Sequence, residues 1–346
     1  MSKTVFGTTN KGKSAYKYVI ENSKGMKSVL SDFGATVLEL HVPDKNGQLR
    51  DVALGYDEIA PYESETTYFG ATVAPYANRI SGAKTEIDGI EYQLDVNDKV
   101  NTLHSGYNTM AKNVWDVKEH TNNKIVFTYK NPHLAQGFPG NMDCEVSYEI
   151  NEENQLIISY HAVSDRTTTF NMTNHTYFNL NGHKSGSTKD HELMIKASGY
   201  TPVNEVLIPI GEVASVEGTP FDFRVAKTIG RDIEAEDEQL SLGAGYDHNF
   251  AIDKETEGVE LVAKAYSPES GIEMEVLTDA IGIQLYTANF IGGQKGKDGH
   301  VYSNRDAFCL ETQFYPNSIN EPNFVRPITE AGKAYETVTI YEFGVR

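Results

Sequence analysis

The sequence predicts an all-β protein, a large single-domain antiparallel β-sandwich spanning residues 1–346, and two patterns and two absences carry that prediction. Apolar and polar residues alternate with period two in many short runs. Gly, Pro, Asn or Asp bounds each run, as turns require. Helical periodicity is nearly missing, and no long linker, composition break or repeat divides the chain.

In chain order, "ATVLELHV" (35–42) leads into "PDKNGQ" (43–48), whose Asn-Gly marks a hairpin turn. "KIVFTYK" (124–130) and "CEVSYEI" (144–150) follow, and "NEEN" (151–154) is short enough to turn the chain back into "QLIISYHAV" (155–163). "HELMIKA", "VELVAKAYS", "IEMEVLTD", "IQLYTANF" and "TVTIYEF" read as further strands. The best helical candidate is the acidic "RDIEAEDEQLSL" (231–242).

Composition narrows the function. Hydrophobic residues form 39% of the chain and charged residues 23%, enough apolar material for a core and too little charge bias for disorder. A net charge of −19 disfavours nucleic acid and anionic membranes as partners. The chain has no membrane-spanning apolar run and its N-terminus lacks a signal-peptide core, so a soluble, cytoplasmic protein is expected. Cys144 and Cys309 stand alone in strand-like runs, which predicts buried free thiols rather than a disulfide.

Five segments are more polar than a plain core allows: "PYANRI" (75–80), "NTLHSGY" (101–107), "NMTNHTYFNL" (171–180), "GYDHNF" (245–250) and "CLETQFYPN" (309–317). Strand alternation would put His175 on one face with Thr173, Tyr177 and Asn179. His104 falls where a strand gives way to a loop and reads as a turn histidine or a site residue. Glu311 lies in an apolar run where burying a carboxylate is costly. It needs either an ion pair, with Arg79 or Arg305, or a role as a base with a tuned pKa. Asp247 fits a turn or a site equally. No HxH, HExxH or paired-cysteine spacing supports a metal, and no nucleophile elbow, P-loop or GxGxxG occurs.

In order and spacing, "ALGYD", "YFGATVAPYANRI", "LHSG", "VWDV", "NHTYFNL", "GTPFDFR", "GYDHNF", "GIQLYTANF" and "CLETQ" resemble the galactose mutarotase (aldose 1-epimerase) family across nearly the whole chain. The resemblance implies the supersandwich fold and interconversion of the α and β anomers of free aldohexoses such as galactose and glucose, with no cofactor. It implies Glu311 as general base, His175 as general acid and His104 as a holder of the reacting oxygens. Asn78, Arg79, Asp247 and Gln284 would bind sugar hydroxyls. One departure is Ala74-Pro75, where the family usually has Gly-Arg before the aromatic residue; a guanidinium is lost, and Pro removes an amide donor and fixes φ, which makes backbone pairing and shape beside the cleft a question for the structure. The rival readings are a hexose-6-phosphate 1-epimerase, which would call for extra cations, and a noncatalytic carbohydrate-binding protein, which would not need both Glu311 and His175.

Overall fold

The computed structural model describes residues 2–346. Strands dominate, and every paired strand in the sheets is antiparallel to its neighbour. A nine-stranded sheet runs in the order 116–120, 124–131, 142–150, 155–164, 334–345, 272–278, 260–266, 192–195, 227–228. Its strands Met142–Ile150 and Gln155–Ser164 bury every second residue, as the alternating sequence requires. Val146, Tyr148, Ile150, Leu156, Ile158 and Tyr160 thereby enter the main core.

Two five-stranded sheets complete the framework. The N-terminal one takes Ser2–Thr8, Ser14–Glu21, Lys27–Ser31, Thr36–Pro43 and Leu49–Asp51 in chain order. The other, which carries the site, runs 214–215, 199–200, 247–251, 282–286, 309–313. Its strand Cys309–Gln313 rests on Ala334–Val345 of the large sheet: Tyr341 donates its hydroxyl to the Leu310 carbonyl at 2.8 Å, and the hydroxyls of Thr312 and Thr339 bond each other. Leu310 and Thr312 therefore face the large sheet, and Cys309, Glu311 and Gln313 face away from it. All five residues are buried, because both faces of this strand are covered.

The expected hairpins are present. In 43–48, the amide of Asp44 bonds the Gln48 carbonyl, the Asp44 carboxylate accepts from the amides of Asn46 and Gln48, and Gly47 supplies the positive φ of 74° that closes the turn. Both cysteines are buried and free. In the acidic stretch 231–242, Arg231 ends a short 3-10 turn and only the far end is α-helical, in Glu238–Gly243, where the Asp237 side chain caps the amides of Gln239 and Leu240. The segment before it presents no continuous apolar stripe and turns instead.

The run 169–180 is not the alternating strand its pattern suggests. Only Thr168–Thr169 and Thr173–Asn174 pair as strands, and their amide neighbours then bond several separate segments: His175 to Ala71, Phe178 to Phe308, Asn179 to Val52. Its amides and hydroxyls cap this irregular backbone. Asn174 Oδ1 accepts from the Thr176 amide, and Asn179 Oδ1 from the Asn181 amide, competing with a ladder. Tyr177 does lie against His175, but Asn179 does not share its surroundings; it donates to the carbonyls of Gly186 and Asp306.

Ala74-Pro75 leaves the neighbouring backbone paired. Both residues are buried, Pro75 accepts from the Asn171 amide at 2.8 Å and Ala77 donates to the Asn171 carbonyl at 2.7 Å. Asn171 thus pairs through its own amide and carbonyl with the backbone on either side of Tyr76, the residue after the proline.

Candidate active site

A cavity of about 280 Å³ gathers six of the seven residues singled out in the sequence: Asn78, Arg79, His104, His175, Asp247 and Glu311. Gln284 stands behind it, donating its amide to Asp247 Oδ1 at 2.7 Å. Sheet register explains this placement. Asp247 lies opposite Tyr286, and Gln284 sits opposite Asn249 on one side and Glu311 on the other, so three adjacent strands present one polar row.

Glu311 is 2% exposed, and its Oε2 has no hydrogen-bond partner. Neither arginine proposed for it pairs with it. Arg79 binds Asp98 at 2.7 Å and approaches Asp247 at 3.8 Å, while Arg305 bonds Asn289 and the Ala244 carbonyl. The free oxygen lies 3.7 Å from His175 Nε2. Burial, and then the charge of Asp247, push the Glu311 carboxyl well above the usual range, with Arg79 opposing. Burial lowers His175 to about 4. Both shifts favour the uncharged form of each partner.

His104 is set differently. Its backbone amide donates to the Asn78 carbonyl at 3.0 Å, and the Asn78 amide donates to His104 Nδ1 at 3.1 Å. An amide can only donate, so Nδ1 is the acceptor and the neutral ring carries its hydrogen on Nε2. Burial, then the nearby His175 and Arg79, hold the His104 pKa well below the ordinary value, which keeps that ring neutral. Asn78 and His104 both take left-handed backbone, with φ of 60° and 50°, a conformation in which Asn and His are enriched.

By distance alone, His104, His175 and Glu311 could hold a metal ion, since one ligand atom from each lies within 4.8 Å of the others. The hydrogen bond to His104 Nδ1 works against it. That bond leaves an N–H, not a lone pair, on Nε2, the reverse of what ligation needs. A second cluster, Glu39, His41 and Asp51, is already engaged by the Lys297 ammonium, which bonds Asp51 at 2.5 Å.

Tyr177, placed beside His175 by the sequence pattern, does line the cavity, and sequence reasoning missed several other lining residues: Tyr68, Tyr286, Phe290, Asp98 and Gln294. Nothing local in the sequence marks these residues; only the fold aims them inward. Another cavity, of about 340 Å³, lies beside Thr312, Gln313 and Tyr335 and contains no histidine or cysteine.

An antiparallel β scaffold with a carboxylate, two imidazoles and hydrogen-bonding groups around a small open cavity defines an acid–base enzyme for a small hydroxylated molecule. The chain belongs to the aldose 1-epimerase family: the family model "Aldose 1-epimerase" matches residues 16–342. Galactose mutarotase of Rattus norvegicus is 36% identical over 346 residues, covering 100% of this chain and 99% of the relative. Aldose 1-epimerase of Escherichia coli K12 is 34% identical, covering 94% of each chain. Among solved structures, a GalM/aldose epimerase homologue from C. elegans superposes with a TM-score of 0.88 at 32% identity, covering 96% of this chain and 99% of that one. Galactose 1-epimerase of Lactobacillus acidophilus NCFM gives 0.86 at 26% identity, covering 99% and 98%.

Proposed function

We propose that this protein is an aldose 1-epimerase acting on free aldohexoses, with Glu311 as base and His175 as acid. The observation that carries the reading is the buried Glu311 Oε2, without a partner and 3.7 Å from His175 Nε2 at the cavity. Anomer exchange acts on two oxygens of one carbon: a base takes the C1 hydroxyl proton while an acid protonates the ring oxygen, and the ring opens. Two groups this close suit two oxygens that share a carbon. With the proton on His175 Nε2, Glu311 is the carboxylate that accepts from the hydroxyl and the imidazolium is the donor. After opening, the proton rests on Glu311, the C1 aldehyde rotates, and the reverse transfers close either anomer. The pair's proton count never changes, so no cofactor is needed.

The remaining groups would hold the sugar. His104 Nε2–H is a fixed donor toward the reacting oxygens. Asp247 accepts from hydroxyls, oriented by Gln284, and Arg79 donates while braced by Asp98. Free sugar is favoured over a 6-phosphate because Arg79 is the only Lys or Arg among the described lining residues, and two carboxylates already face it. Residues 1–346 act as one domain in this reading, supported by a large sheet that draws strands from 116 through 345. No helix among the described residues is long and apolar enough to cross a membrane. The two free buried thiols support a reducing, cytoplasmic location.

The test is anomer exchange on freshly dissolved α-galactose and α-glucose, followed by NMR or polarimetry. Acceleration that saturates with sugar is expected. Sugar binding without acceleration would leave a noncatalytic binding protein.

A further inference from the structure

His175 has two ring nitrogens, and the reaction uses one. Nε2 faces Glu311 at the cavity. Nδ1 has a different neighbour, Cys309 Sγ, at 3.5 Å. Cys309 is fully buried and does not line the cavity. Across the reaction cycle His175 alternates between an imidazolium and a neutral ring that has just lost its Nε2 proton; Nδ1 holds a hydrogen in both.

We propose that Cys309 is a positioning residue whose sulfur accepts the Nδ1–H of His175 and so confines proton exchange to Nε2, an inference that rests on the anomerase reading above. The placement is a consequence of strand alternation. Cys309 and Glu311 are two residues apart in one strand and share a face, so that strand holds the base directly and the acid by its far nitrogen. Their spacing is then set by one rigid element, although His175 itself comes from a segment 134 residues away.

The other neighbours fix the ring plane rather than its protons. Tyr177 lies nearly parallel to the imidazole with centroids 5.0 Å apart, Tyr68 nearly parallel at 6.3 Å, and His104 and Tyr286 edge-on at 5.3 and 6.2 Å. The carbonyl of His175 itself accepts from the Gly70 amide at 2.9 Å, and the residue's own backbone lies close enough to the ring to oppose the effect of burial. Among these neighbours, His104 stays neutral and burial raises the three tyrosines, Tyr68 to about 12. Glu311 therefore titrates together with His175, in the presence of the facing Asp247 and Arg79. Burial also raises the Cys309 thiol well above its usual range, so the sulfur remains a neutral, weak acceptor. Such an acceptor supports the imidazolium only lightly and leaves it a strong acid, as protonation of a weakly basic ring oxygen demands.

The experiment is a long-range ¹H–¹⁵N spectrum of the intact, histidine-labelled protein at neutral pH, with the His175 signals identified by their loss in His175→Asn. Nδ1 protonated and Nε2 bare is the expected tautomer; the opposite tautomer in the wild-type protein overturns the proposal. In kinetics, Cys309→Ser supplies a stronger acceptor and should move the pH–rate bell upward by about half a unit while keeping kcat within about threefold. Cys309→Ala should lower kcat by about 10-fold at unchanged KM, shift the bell downward and mix the tautomers. An Ala variant with the wild-type tautomer and profile also overturns it. If the tautomer is as expected but the protein accelerates no anomer exchange, the functional reading fails and the Cys309–His175 assignment stands.

Discussion

Replacing Glu311 with Gln separates a working carboxylate from a structural one, because the two roles predict opposite effects on stability. The substitution keeps size and shape and removes the base. Loss of one general base costs roughly 10²–10⁴ in rate, so kcat should fall at least ~10²-fold, about 2.7 kcal/mol of barrier, with a smaller change in KM. Stability should move the other way. Burial raises the Glu311 pKa in the folded chain above its unfolded value, so the folded state binds that proton more tightly. The resulting stabilisation is complete below the unfolded pKa and is lost as pH rises through the folded one. Gln has no such titration. The variant should therefore match wild type near about pH 4 and gain on it toward about pH 8. With Oε2 unpartnered in the wild type, a gain of about 1 kcal/mol is expected, at the low end of the cost of an unsatisfied buried polar group. Coupled or NMR anomerisation assays give the first quantity, and urea melts at the two pH values the second. A variant that keeps kcat within tenfold refutes the base assignment. One that is less stable at the higher pH shows that Glu311 holds the fold together instead.

Three more outcomes follow from the same geometry. His175→Asn should depress kcat by at least ~10²-fold, and the wild-type kcat/KM should be bell-shaped, falling when the Glu311–His175 pair gains a second proton or loses its one; a flat profile with an active Asn variant removes His175 from the chemistry. The kcat/KM for galactose or glucose should exceed that for the matching 6-phosphate by at least ~10-fold, about 1.4 kcal/mol, in side-by-side NMR exchange; preference for either phosphate rejects the free-sugar reading. Arg79→Gln strips Asp98 and Asp247 of their shared cation, so KM should rise and the chain should lose about 2 kcal/mol in urea melts, between the values for exposed and buried pairs. A KM unchanged from wild type would place Arg79 outside sugar binding.

Much of the scaffold was legible because strand formation leaves a local trace. A half-buried strand alternates in sequence, so Met142–Ile150 and Gln155–Ser164, with the short turn between them, could be read directly. The trace fails when both faces are covered or when side chains replace the ladder. The run 169–180 keeps a strand-like pattern, yet Asn174 and Asn179 bind backbone and the segment turns among several partners.

At the site, residue types alone marked His104, His175, Asp247 and Glu311, since imidazoles and carboxylates in apolar surroundings are costly without a use. Their pairing was another matter. Sequence allowed Glu311 an arginine partner; the fold gave Arg79 to Asp98 and Asp247 and left Glu311 Oε2 against His175. The tautomer of His104 depends on an amide 26 residues away, and the neighbour of His175 Nδ1 on a thiol 134 residues away. Alternation and composition are properties of neighbours along the chain, so the sequence by itself determined the all-β class and the candidate chemistry. Hydrogen-bond direction, burial and the distance between two titrating groups depend on which segments meet, and only the tertiary structure decided them.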